Sequence, residues 1–345
     1  MLNVGIVGLG NIGNIHAGVY TTKLKDDVRL VAVCDVVKVK ADKAAEKYGA
    51  KAFYSVDEML GSGLNLDAVS VATAGKENGG DHFEPTMQFL RAGTPVLGEK
   101  PISNELAKAE QMVALAKEKQ VAYGINLNHR FTPAARRAKE WLDANRCGEI
   151  NMINMFMWIN NPNETSPHFH MRALHPHSID VMRYFCGDVK NVHAFMKRGQ
   201  GRQGWSNAHV NMQFESGVIG HLMGSYDGGG PGHQWGLERC EIVGQDARIV
   251  ITDACEVLEF QSRKSIESET YKYLGNMRSF NDTFESRITA WVNDLKNKTP
   301  YDKVDAKADD ALAAQRVIEA AIQSWEHGTV VEVKNQPTNL TNRLE

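Results

Sequence analysis

Six residues near the amino terminus, Gly8-Leu9-Gly10-Asn11-Ile12-Gly13, constrain the fold of this chain more than any other feature. They follow the apolar run Asn3–Val7 without a break and open a stretch with helical spacing. A strand that passes into a helix through G-x-G-x-x-G begins a βαβ unit that holds a dinucleotide. Gly8 permits the tight turn, Gly10 lets backbone approach a pyrophosphate, and Gly13 lets helix and strand pack closely. The unpaired N–H groups at the helix start, around Asn11 and Ile12, then face the phosphates.

A second strand is expected at Leu30–Cys34, with Asp35 directly after it and 22 residues beyond Gly13. That is the place of the carboxylate that accepts hydrogen bonds from the adenosine ribose, which favours NAD; a ribose phosphate would be repelled. Val36 and Val37 offer no guanidinium to hold such a phosphate, although Lys38 and Lys40 lie near, so NADP is the weaker alternative.

The rhythm of short apolar runs and amphipathic stretches continues to Leu127, with strands expected at Ala68–Ala72, Pro95–Gly98 and Ala122–Asn126. A helix capped by Ser103 or Asn104 and ending near Lys119 repeats Leu106, Ala109, Val113 and Ala116 on one face. After Arg130 the pattern changes. A helix over Pro133–Asn145 precedes β-rich segments, among them Asn151–Trp158, Ala208–Phe214 and Val218–Gly224, that read as an antiparallel sheet. Helices over Asp282–Asn297 and Ala306–His327 and a strand at Val330–Val333 follow. The expected fold is therefore a parallel α/β Rossmann domain, residues 1–127, joined to an α+β domain on a large, mainly antiparallel open sheet, residues 128–334, with a flexible polar tail, 335–345.

Composition narrows the partners. A length of 345 residues suits two domains, and 42% hydrophobic with 23% charged residues suits globular ones. A net charge of −3 supplies no basic field for nucleic acid or anionic lipid. No apolar stretch reaches spanning length and the first residues lack a signal-peptide pattern. Cys34, Cys147, Cys186, Cys240 and Cys255 are odd in number, widely spaced and free of C-x-x-C pairs, which fits reduced thiols in a cytoplasmic protein.

At Glu99-Lys100-Pro101, after the strand Pro95–Gly98, the sequence resembles the glucose-fructose oxidoreductase and inositol dehydrogenase family, Gfo/Idh/MocA. The run Gly8 to His16, the strand end Ser70-Val71-Ala72-Thr73, His82, Asn128-His129-Arg130-Phe131, the segment around His177 to Gly187 and the closing helix before Val330 match it in the same order. The resemblance implies a dehydrogenase that moves a hydride between NAD and a secondary hydroxyl of a sugar, glycoside or cyclitol, or reduces the corresponding ketone. It places Thr73, His82, Glu99 and Lys100 at the cofactor and Lys100 beside the reacting hydroxyl, where a cation steadies a developing alkoxide. It also implies a cis bond before Pro101 in many members, and a homodimer or homotetramer formed on the open sheet face.

The second catalytic candidate is His177, whose imidazole suits proton exchange with a hydroxyl. Here the sequence departs from the family. Ala173 stands where an Asp is usual and His175 where a Gly is usual, so the carboxylate expected beside His177 is missing and His175 is the candidate substitute. A helix over His177–Phe185 would place Asp180 one turn away, within reach of the same ligand. Asn128, Arg130, Trp158, Asn160, His175 and Asp180 are the expected substrate contacts. The glycine-rich stretch Tyr226–Trp235 reads as a loop over the pocket, with Trp235 more at home in the sheet than on a sugar.

Three further readings stay open. One is a glycosidase of the same family that keeps NAD bound and oxidises transiently; another is an NAD-binding sensor without catalysis; the third reduces a non-sugar carbonyl. Four histidines in ten residues, His168, His170, His175 and His177, also match the ligand type of zinc or iron sites. No H-E-x-x-H helix or cysteine cluster completes such a site, and no metal is expected.

Overall fold

The computed structural model describes residues 1–73, 81–103, 105–228, 237–253, 257–270 and 280–334. The tail from 335, Asn104, Cys255 and most of the glycine-rich stretch, including Trp235, lie outside the described residues.

The first half alternates as its sequence demands: β1 (Leu2–Val7), α1 (Asn11–Gly18), β2 (Val28–Cys34), α2 (Lys38–Tyr48), β3 (Lys51–Phe53), α3 (Val56–Leu60), β4 (Ala68–Val71), α4 (Phe83–Arg91), β5 (Val96–Gly98), α5 (Leu106–Lys119) and β6 (Tyr123–Ile125). All six strands are parallel, in the order β3-β2-β1-β4-β5-β6. Strand order reverses between β1 and β4, so their carboxyl ends flank the crevice in which open α/β sheets bind ligands. β3 and α3 are short and were not foreseen. α5 starts later than its capping residues suggested, because Ser103 Oγ accepts from Glu105 N at 3.2 Å, a local turn that holds the chain out of the helix.

A 3₁₀ turn over Asn128–Phe131 leads into α6 (Pro133–Asp143), capped by Thr132. Then come β7 (Ile150–Trp158), α7 (Phe169–Cys186), β8 (Val189–Lys197), β9 (Asn207–Phe214), β10 (Ile219–Ser225), β11 (Leu237–Gly244), β12 (Ala247–Thr252), β13 (Val257–Ser262), β14 (Ile266–Thr270), α8 (Phe280–Lys296), α9 (Ala308–His327) and β15 (Val331–Glu332). The second sheet runs β14-β13-β12-β11-β7-β10-β9-β8-β15 and is antiparallel except where β10 lies parallel to β7. Its inward residues, such as Ile153, Met155, Val210, Leu222 and Ile242, pack with Met171, Ile179 and Met182 of α7 and Val317, Ile318 and Ala321 of α9. The alternate residues face away from these helices.

α7 begins eight residues before the expected helix and carries Pro176 in its interior. Pro176 has no N–H for the Arg172 carbonyl, yet the helix runs through it. The packing also blurs a division at residue 127. Phe284, Ile288, Trp291 and Val292 of α8 share a core with Val4, Ile6 and Leu30, and Ala306 and Leu312 share one with Val69 and Ile125. Arg287, wholly buried, donates from Nε to Ile125 O at 2.9 Å.

Candidate active site

The glycine turn does what its spacing requires. Gly8 has φ +90°, and a Cβ there would lie 2.5 Å from Ala72 O, so the ends of β1 and β4 approach more closely than any side chain allows. A Cβ on Gly13 would lie 1.8 Å from Gly8 O, whereas one on Gly10 would meet nothing within 4 Å. That open space lies at the start of α1, which has no side-chain cap. A pyrophosphate fits such a place, because the first N–H groups of the helix lack intrahelical partners.

Asp35 follows β2 and is 9% exposed; its Oδ2 accepts from Leu9 N and its Oδ1 from Val37 N, both at 2.8 Å. Each oxygen keeps a lone pair, so the carboxylate braces the turn and still has acceptor capacity for a ribose. Lys38 points elsewhere, its Nζ 5.0 Å from the centre of the Tyr54 ring, whose hydroxyl donates to Asp42.

A buried polar chain supports the other end of the crevice. Glu99 Oε1 accepts from Asn126 Nδ2 at 2.6 Å and lies 2.9 Å from His16 Nε2. His16 Nδ1 meets Ser70 Oγ at 3.1 Å, and Tyr20 OH meets the same hydroxyl at 2.8 Å. Tyr20 and Asn126 were not foreseen as parts of the site, and Ser70 was noted only within the strand end Ser70-Val71-Ala72-Thr73; none of the three had been given a role. Thr73 Oγ1 lies 3.0 Å from Nδ1 of His82, and burial above all lowers the His82 pKa to about 4, so the ring is neutral. His82 Nε2 is buried without a partner among the described residues.

Lys100 and His177 come together. Lys100, joined to Pro101 by a cis bond, donates from Nζ to Ala173 O at 3.0 Å, reaching from the end of β5 across to α7. Burial holds its ammonium below the ordinary lysine value, with Glu99 pulling the other way. His177 is 4% exposed, and burial, then the nearby His129, Lys100 and His175, push its pKa well below the ordinary histidine value. It is a neutral imidazole at physiological pH, with Nδ1 buried and unpartnered among the described residues.

Other expected contacts are placed differently. His175 does not partner His177: its Nε2 lies 3.0 Å from His170 Nε2 and its Nδ1 3.1 Å from Ser178 Oγ. Its ring presses on the backbone at Gly224, where a Cβ would lie 2.0 Å from Nε2. Asp180 is fully buried and held at both oxygens by Arg130, whose remaining nitrogen reaches Asp310 at 3.1 Å and Asp305 at 3.4 Å. Arg130 thus sits among three carboxylates, and its pairing with the buried Asp180 braces the junction. Asn128 donates to Thr283 of α8. Trp158 alternates with the inward Met157 and so faces the side of the sheet turned from α7, and Asn160 is exposed beyond the end of that strand. Period 2 shows that faces differ but not which one a helix will cover.

His168 turns to Glu326 at 3.3 Å while His177 stacks on His129, so the four histidines do not converge. Among the described residues no three His, Cys, Asp or Glu side chains are grouped to hold a metal ion. Cys34, Cys147, Cys186 and Cys240 are buried and unpaired, and burial lifts the Cys34 thiol to about 12.

Two family models account for most of the chain. Residues 2–127 match the oxidoreductase family with an NAD-binding Rossmann fold, and residues 135–250 match the GFO/IDH/MocA C-terminal domain. The chain belongs to this oxidoreductase family. The myo-inositol 2-dehydrogenase of Thermotoga maritima is 24% identical over 319 residues, 87% of this chain and 90% of that protein. The D-glucoside 3-dehydrogenase of Escherichia coli is 31% identical over 150 residues, 43% of this chain and 41% of that protein. Levoglucosan dehydrogenase, in complex with NADH and levoglucosan, has the same fold, with a TM-score of 0.84 at 18% identity over 97% of this chain and all of that one. Among the described residues no helix is long and apolar enough to cross a membrane.

Proposed function

We propose that this oxidoreductase is an NAD(H)-dependent dehydrogenase that oxidises a secondary hydroxyl of a sugar, glycoside or cyclitol, or reduces the corresponding ketone, with Lys100 and His177 at the reacting carbon's oxygen. The observation that carries the reading is the meeting of a buried cation and a buried neutral imidazole at the mouth of a dinucleotide crevice. The names of the relatives point to the same substrate class.

Bound NAD supplies the hydride acceptor at the nicotinamide. Gly8, Gly10, Asn11, Ile12 and Gly13 receive the pyrophosphate and Asp35 the adenosine ribose. Thr73, His82 and Glu99 line the path to Lys100, with Glu99 held by His16 and Asn126. Lys100, in low dielectric, lowers the proton affinity of the substrate hydroxyl and stabilises the alkoxide as it forms. His177 accepts the hydroxyl proton during oxidation and returns it during reduction. NAD is preferred to NADP because the Asp35 carboxylate repels a ribose phosphate and Lys38 is engaged with Tyr54.

The copies assemble as a homodimer or homotetramer through the open sheet face, where Met152, Phe195 and Ile219 are exposed. Following reduced cofactor by absorbance across sugars, glycosides and inositols with NAD and with NADP tests the activity. Lys100→Ala and His177→Ala are each expected to lower turnover by orders of magnitude while NADH binding stays near wild type. Retained turnover in both variants refutes the assignment.

A further inference from the structure

Behind His177 lies a buried carboxylate that the chemistry above does not use. Glu238, near the start of β11, is 6% exposed, and its Oε2 lies 2.6 Å from Nδ1 of His129, itself 4% exposed. Cys240 and Ile242 of the same strand point into the core against α7, so Glu238 shares their face. Neither ring nitrogen of His129 has an aligned hydrogen bond among the described residues; the contact with Glu238 is one of close approach. The His129 ring in turn stacks on His177, with centroids 4.2 Å apart and planes 23° from parallel.

A carboxylate withdrawn from water needs an opposite charge, and among the described residues the group that lies against Glu238 is the His129 imidazole. We propose that Glu238 and His129 are positioning residues for His177: the carboxylate holds a proton-bearing His129 ring against the face of His177, which fixes that ring's plane and keeps it in the proton-accepting form. The inference rests on the role given to His177 above.

Several other groups face His177. Lys100 comes from the loop after β5, His175 from the same helix, and Asp180 lies one turn on, paired with Arg130 and backed by Asp305 and Asp310. Glu238 differs from these in acting through an intervening ring, and this gives its removal a distinctive sign. A carboxylate acting directly on His177 raises that ring's affinity for a proton, so its loss would lower the affinity. Acting through His129, its loss also removes the cation stacked on His177, and the affinity rises.

Histidine-selective NMR of the whole chain, with His177 assigned by comparison with His177→Gln, reads this without substrate. In Glu238→Gln and in His129→Phe, which keeps an aromatic ring but no charge, His177 is expected to take up its proton at higher pH than in wild type. The expected move is about one pH unit or more, a tenfold change in proton affinity. An unchanged or lowered value, or a rise in only one of two folded variants, overturns the proposal; should circular dichroism show one variant unfolded, the other decides. In turnover assays both variants are expected to lose tenfold or more in kcat with KM for NAD unchanged. A wild-type protein that oxidises no polyol would defeat the proposed activity, while the titration would still decide the role of this pair.

Discussion

Gly10 and Gly13 are three residues apart in one turn, yet replacing each by alanine should produce opposite failures. A Cβ on Gly13 would lie 1.8 Å from Gly8 O, a backbone atom that cannot swing aside, so β1 and α1 would have to separate by more than an ångström. Overpacking of that kind costs about 1–3 kcal/mol or more. Gly10 has φ −74°, open to any L-residue, and no atom within 4 Å of its absent Cβ. Gly10→Ala should therefore leave stability within about 0.5 kcal/mol of wild type, with any change towards gain because alanine restricts the unfolded chain. The same methyl occupies the space assigned to the pyrophosphate, so NADH affinity should drop about tenfold or more, about 1.4 kcal/mol. Urea denaturation gives the first quantity and titration calorimetry with NADH the second. If Gly10→Ala binds NADH as tightly as wild type, the open space at the head of α1 is not where the phosphates sit, and the argument from the glycine spacing fails.

Acid should destabilise the fold well before its carboxylates titrate. His82, His170, His175 and His177 all have pKa values lowered first by burial, to about 4 for His82 and about 3 for His175, so below about pH 6.5 the unfolded chain binds protons that the folded one refuses. Stability then falls with pH by about 1.4 kcal/mol per unit for each such histidine, and urea midpoints that stay constant from pH 7 to pH 5 would contradict this. Asp180→Ala should act on stability rather than on substrate affinity, costing about 3–5 kcal/mol because Arg130 loses its buried partner; a folded variant of unchanged stability with a raised KM would restore Asp180 as a substrate contact. Wild type should bind NADH at least about tenfold more tightly than NADPH, and Asp35→Asn should narrow that ratio; equal affinities in wild type would remove the charge argument.

The parallel half of the fold was legible because its signals are local. Each strand is a short apolar run, and the Gly8 turn and Asp35 stand at positions set by the βαβ unit, so five of the six strands and the crevice follow from spacing alone. β3 escaped because three residues, one of them a lysine, carry no period. In the second half, strand positions were readable but which face a helix would cover was not, so the sequence could not show that Trp158 lies on the side of the sheet turned from α7. The sequence placed a helix only over His177–Phe185; in the structure Phe169–Cys186 is one helix despite Pro176, because tertiary packing overrides local preference. His129 and Glu238 are 109 residues apart, one in a 3₁₀ turn and the other set opposite Met157 by the pairing of β11 with β7, so nothing local shows their contact.

The return of α8 to the amino-terminal sheet bears on any attempt to treat the cofactor-binding half as a portable part. Trp291, Ile288 and Phe284 fill the space beside Val4 and Ile6, and Arg287 ties down Ile125. A fragment cut at Leu127 would expose that surface to water and leave the floor of the crevice without its support. A chimera that exchanges this half between relatives must therefore carry two separate stretches of chain, and during synthesis the crevice cannot reach its final form until α8, which begins at Phe280, has left the ribosome.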